Sequence, residues 1–191
     1  MKEKAVQSLV ALWRMLDPIY YACSRLEYAM EGNGGRRSIF RVRPLKYKGE
    51  TIYLSDGTTI RNDDWLLKIH LHNVRLMCEL LRYDSDMKRG RYLFEQVKAG
   101  LPHVAHHLYH HEQSSRIKGI IGVTMLNKGC ERLGFDTVDI GNSFYRWFKM
   151  ASHWPIMTLA QRRLVPLVRP PKYLVMSKEK LFSLYGCHLI H

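Results

Sequence analysis

The chain has 191 residues, 46% of them hydrophobic and 25% charged, values of an ordinary globular domain that exclude a disordered chain or a coiled coil. Thirty Lys and Arg against 17 Asp and Glu leave a formal charge of +13, which steers encounters toward polyanions: nucleic acid, an anionic glycan or cell-wall polymer, or an anionic membrane surface. No apolar run approaches the ~20 residues of a spanning helix, so any membrane contact is expected to be peripheral.

This length predicts a single domain over residues 1–191 that buries a real core without staples. Cys23, Cys78, Cys130 and Cys187 lie far apart with no CxxC pair. They suit buried free thiols of a reducing compartment better than a disulfide framework or a zinc site. Gln7, Ser8 and Arg14 interrupt the first apolar run, so it does not read as a secretory signal and the expected location is cytoplasmic.

Val6, Leu9, Val10, Trp13 and Leu16 recur at helical spacing, and Asp17-Pro18 then opens a second helix expected to reach about Met30. Residues 1–31 are thus read as a helical hairpin. Gly32 to Gly35 is a loop that lacks the phosphate-loop pattern. Residues 36–73 form a strand-rich part. Phe40 and Val42 alternate with Arg37, Ile39, Arg41 and Arg43, which predicts a half-buried strand with a basic outer face. Ser55-Asp56-Gly57 marks a hairpin between 51–54 and 58–61.

Trp65 to Asn73 reads as the central strand. Alternation sends Trp65, Leu67, Ile69 and Leu71 to one face and Leu66, Lys68, His70 and His72 to the other, with Asn73 capping a helix from Val74. Residues 74–191 are helix-rich with further strands: a helix to about Tyr83, a polar connection over 84–91, and a long helix to His111 with a break or kink at Gly100-Leu101-Pro102. A strand at 116–123, a helix at 125–133 capped by Thr124 and ended by Gly134, and a strand at 135–140 follow. An aromatic helix spans 142–159, a basic loop 162–172, and a strand at 173–176 leads to a Ser177-capped helix ending near Gly186. The predicted fold is α+β: an N-terminal helical hairpin, a mainly antiparallel sheet with hairpins, and helices packed on one face.

Several short stretches carry a resemblance. They are Leu12-Trp13, Asp17 and Ser24-Arg25-Leu26, then Lys68 to Asn73, Gly122 to Leu126, Arg132 to Phe135, and Ser177 through Tyr185-Gly186. In these the chain resembles the YkoP-like family, found in Bacillus-type bacteria as a stand-alone protein and as a domain appended to polysaccharide deacetylases. The resemblance implies a place in cell-envelope glycan metabolism. It supplies no catalytic residue, and a deacetylase's catalytic carboxylates and metal-binding histidines are not recognisable here.

Two function classes follow. An enzyme-like or accessory domain would use a polar site of His70, Asn73 and Thr124, with His70 as general base and Asn73 or Arg75 steadying developing negative charge. A noncatalytic module would bind anionic polymer or glycan through Arg37, Arg41, Arg43 and Arg75, with Tyr47 and Tyr53 alongside. The residues leave open whether the chain is an enzyme and what its oligomeric state is.

His70 and His72 can share a metal only with a third ligand, and the spacing selects none of Asp63, Asp64 and Glu79, so no metal is assigned. His103, His106, His107, His110 and His111 fall on one helical arc, which reads as a solvated face that gains charge on acidification. No dinucleotide fingerprint, G-x-S-x-G or H-E-x-x-H is present, and no cofactor is named.

Overall fold

The structure, a computed structural model, describes residues 27–30, 37–125, 129–141 and 170–186. It bears out the α+β class: a mainly antiparallel sheet with helices on one face. The strands are β1 (Glu27–Met30), β2 (Arg37–Lys46), β3 (Ile52–Tyr53), β4 (Thr59–Ile60), β5 (Trp65–Leu71), β6 (Ile117–Thr124), β7 (Asp136–Asp139) and β8 (Lys172–Ser177). The helices are α1 (Asn73–Leu80), α2 (Asp86–His110) and α3 (Lys178–Tyr185).

Among the described residues, six strands join in the order β1-β2-β5-β6-β8-β7, and β3 pairs with β4 alone. Within the large sheet only β5 and β6 run parallel, which requires the crossover that α1 and α2 supply. The alternation read in β5 holds. Leu67 and Ile69 meet Phe40, Val42, Ile120 and Met176 on the front face, where Leu101, Val104 and Leu108 of α2 and Leu181 of α3 complete the main core. Burying each such side chain is worth roughly 1.5–3 kcal/mol. Leu66 turns to the back, where it packs with Ile121, Val175 and the hairpin residues Ile52, Leu54 and Ile60.

Two glycines let backbones approach closely. Opposite Trp65 to Leu67, β6 fits Ile117 to Ile120, one extra residue, and this bulge puts Ile117 and Ile120 on the same face. A Cβ on Gly119, inside the bulge, would stand 2.3 Å from the Met176 carbonyl oxygen. On α2, a Cβ at Gly100 would meet the Phe40 ring at 2.8 Å. Of the break or kink expected at Gly100-Leu101-Pro102, the break does not occur: the helix runs through with Pro102 inside it, because Gly100 seats α2 against β2 and the packed face outweighs the bond that Pro102 cannot donate.

Other boundaries move for local reasons. Most of the expected N-terminal hairpin falls outside the described residues, but its last part, Glu27–Met30, is strand β1, paired antiparallel with β2. The polar connection expected over 84–91 is largely the first turn of α2. Ser85 accepts a hydrogen bond from the Lys88 N–H at 3.2 Å, and Arg89 reaches back to Asp86 and to the Tyr83 carbonyl. Asn73 is the first residue of α1 rather than its cap: the Leu76 N–H donates to the His72 carbonyl at 3.1 Å.

Of the helix expected over 125–133, Cys130–Leu133 forms a 3₁₀ turn between left-handed glycines 129 and 134, Thr124 ends β6, and 126–128 lie outside the described residues. The Ser177 cap is as read: its Oγ accepts from the Lys180 N–H at 3.0 Å. The helix expected over 142–159 lies outside the described residues.

Candidate functional site

On the back of the sheet, β2 and β5 stand in register as Arg41 opposite His70, Arg43 opposite Lys68 and Leu45 opposite Leu66. Lys68 is in turn level with Ile121 of β6. Strand alternation therefore gathers cations into adjacent rows on this face.

The two arginines differ in kind. Arg41 is only 4% exposed. Its Nη2 donates to the Tyr28 hydroxyl at 2.7 Å and to the His72 Nε2 at 3.1 Å, and its guanidinium lies 5.0 Å from the Tyr28 ring centroid. These contacts tie β1, β2 and the end of β5 together, so Arg41 is a brace inside the protein and not part of an exposed basic surface. The Nε2 of His72 is thereby engaged by a cation. Ile39, expected on the basic face, packs in the front core beside Gly100.

Beside Lys68 the back face is concave. A pocket of about 320 Å³ is lined by Leu45, Lys46, Tyr47, Lys48, Lys68, Ile121, Gly122, Val123 and Tyr173. Lys46 is the cross-strand partner of Trp65, and its amine lies 5.7 Å from that ring. Lys48 is ion-paired with Asp63, whose carboxyl is held below the usual range first by that hydrogen bond, which with the charges of Lys48 and Lys46 outweighs the opposing effect of burial. Lys68 is the cation that a strand places beside the apolar floor of Leu45, Ile121 and Val123. Tyr47 is 5% exposed and donates its hydroxyl to the Glu50 carbonyl at 2.9 Å; burial, then Glu50, pushes that hydroxyl's pKa upward. Tyr173 meets Tyr47 edge-on at 6.3 Å.

The residues proposed for catalysis do not gather in this hollow. His70 is half-buried on the back face, two residues beyond Lys68 and so level with Val123. Thr124 pairs with Lys172 and follows Val123, and so belongs to the front face with Gly122, where a Cβ would meet Ile69 at 3.2 Å. His70 and Thr124 thus share one end of the sheet but point to opposite sides of it. Asn73 opens α1 beyond them. Of the proposed ligand-binding arginines, Arg37 pairs with Met30 at the far end of β2, Arg75 is exposed on α1, and Arg43 alone adjoins Lys68.

Among the described residues, no group of three or more His, Cys, Asp or Glu is placed to hold a metal. The pocket's described lining has no carboxylate, imidazole, thiol or aliphatic hydroxyl, the groups that usually act as nucleophile or general base. Its equipment is the amines of Lys46, Lys48 and Lys68, two tyrosines and an apolar floor, which suits holding an anion with an uncharged body. The sequence signal for Lys68 was its parity with His70; Ile121, Val123 and Tyr173 join the site through pairings that periodicity does not report.

Among the described residues no helix is long and apolar enough to cross a membrane. A family model described as the YkoP domain matches residues 6–185. The uncharacterized protein YkoP of Bacillus subtilis (strain 168) is 46% identical over 178 residues, covering 92% of this chain and 95% of that protein. No solved structure matches. With one family model across almost its whole length and a relative this similar, the chain belongs to the YkoP domain family.

Proposed function

We propose that the chain is a noncatalytic accessory module that binds an anionic envelope glycan, seating one acidic unit in the back-face pocket with its charge at Lys68. The observation that carries this is the concave pocket beside the Arg43 and Lys68 rows, with an apolar floor and tyrosine walls. Its volume is of the order of one ligand-sized unit, near the lower end of small-molecule sites at roughly 300 Å³. A glycan is favoured over nucleic acid because Tyr47 is buried and Tyr173 stands edge-on to it, so among the described residues lining the pocket there is no stacked platform of the kind that carries single-strand binding. Free Cys78 accords with a reducing, cytoplasmic setting in which the polymer is met during its synthesis.

An enzyme-like site at His70, Asn73 and Thr124 is less favoured, since His70 and Thr124 lie on opposite sheet faces.

The test is calorimetric titration of the purified, untagged chain with oligogalacturonate and, separately, with oligo-dT of matched charge. The glycan is expected to bind more tightly, and its affinity to fall steeply between about 50 and 200 mM salt, as charge-driven association does. Tighter binding of oligo-dT would transfer the reading to nucleic acid. Absence of binding to either would remove it.

A further inference from the structure

The histidine stripe of α2 is not absorbed by the back-face site, and its members are not equivalent. His106 and His110, one helical turn apart and both exposed, bring their rings to 4.3 Å between centroids at 38°. The Nδ1–H of His110 donates to the His106 carbonyl oxygen at 3.0 Å. That bond fixes the tautomer: the proton is on Nδ1, so the lone pair is on Nε2. This is the same orientation that a carbonyl or carboxylate gives to a metal-ligating histidine.

The neighbouring pair differs. His107 and His111 are 5.6 Å apart, and His111 Nδ1 accepts the Gln113 N–H at 3.0 Å, which puts the neutral ring's proton on Nε2, the wrong nitrogen for chelation across the turn.

We propose that His106 and His110 form a solvent-open chelating site for one divalent transition-metal ion of the imidazole-preferring class. Two imidazoles at i and i+4 bridge one turn, and water fills the remaining positions. The site is independent of the glycan pocket, because it sits on α2, the helix packed against the front of the sheet.

The experiment titrates chelator-treated, untagged full chain with Zn²⁺ and with Cu²⁺ alone, by competition with a chromogenic chelator. Wild type is expected to bind Cu²⁺ more tightly than Zn²⁺, following the general order for nitrogen sites. His106→Ala and His110→Ala are each expected to weaken binding about tenfold or more, while His111→Ala leaves it unchanged. The metal is also expected to raise the Tm of wild type and not that of His110→Ala, because only a ligand of the folded helix stabilises it. Equal affinity in wild type and His110→Ala, or binding carried instead by histidines outside α2, would overturn the assignment.

Discussion

A methyl group on Gly119 would stand 2.3 Å from the Met176 carbonyl oxygen and 3.1 Å from the Ser177 Cα. Both neighbours are backbone of the adjoining strand, so the clash cannot be relieved by a side-chain rotation. Gly119→Ala is expected to destabilise the fold by about 1–3 kcal/mol, the usual cost of overpacking, read as a lower urea midpoint with an unchanged slope. Nothing in Ile117-Lys118-Gly119-Ile120 reports that constraint in isolation, since it arises from how β8 lies against the bulge. Lys68 and Arg41 make the same point. The sides taken by Leu66, Leu67, Lys68 and Ile69 were legible from alternation alone, because a strand has only two. Whether a cation on the polar side faces a pocket or is sealed inside was not, because Arg41 is tied to Tyr28, and Tyr28 lies in strand β1, the end of a stretch that Asp17-Pro18 leads one to expect as helix.

At the scale of elements, the small β3–β4 hairpin is locked to the sheet by its turn. The Ser177 hydroxyl donates to Asp56, the Lys180 amine donates to the Ser55 hydroxyl at 3.0 Å, and the Ser55 N–H donates to Asp136 at 3.3 Å. Ser177 is fully buried, so removing its acceptor strands a hydroxyl. Asp56→Ala is therefore expected to cost about 1–3 kcal/mol at neutral pH.

Burial alone would raise the Asp56 pKa, but hydrogen bonds from Ser177 and Thr58 and the charge of Lys180 outweigh it and hold the carboxyl below its ordinary 3.8. The folded chain thus holds that proton less tightly than the unfolded chain. The stabilisation is complete above the unfolded value and is lost as pH falls through the folded one. The Tm gap between wild type and Asp56→Ala should be constant from neutral pH to about 5 and close below about 4; a gap that persists in acid would contradict the lock. Turn chemistry at Ser55-Asp56-Gly57 was readable from three residues, as was the Ser177 cap. The start of α2 at Asp86 and the 3₁₀ turn at Cys130–Leu133 were not. In the first, Arg89 folds back onto Asp86 and Tyr83; in the second, two left-handed glycines cut a helix-like pattern short.

For the whole molecule, the layering separates two kinds of surface. α2 and α3 cover the front of the sheet, while the back carries the hairpin, the cation rows and the pocket. The excess positive charge was plain in composition, and so was the α+β class; which face would carry a recessed cation depended on β2, β5, β6 and β8 meeting. The histidine stripe belongs to α2, and burial lowers the pKa values of His106 and His107 there. Mild acidification therefore adds less charge than five free imidazoles would, and adds it away from the pocket.

Lys68→Met keeps the aliphatic stem on the sheet while removing the amine, and Lys98→Met removes the same charge from an exposed position on α2. Titrating oligogalacturonate into wild type and both variants at fixed salt compares a placed cation with an incidental one. Lys68→Met is expected to lose affinity about tenfold or more, equivalent to ~1.4 kcal/mol, and Lys98→Met to keep a near-wild-type value. Equal losses in the two variants would show that only net charge attracts the glycan and would contradict a built site on the back face.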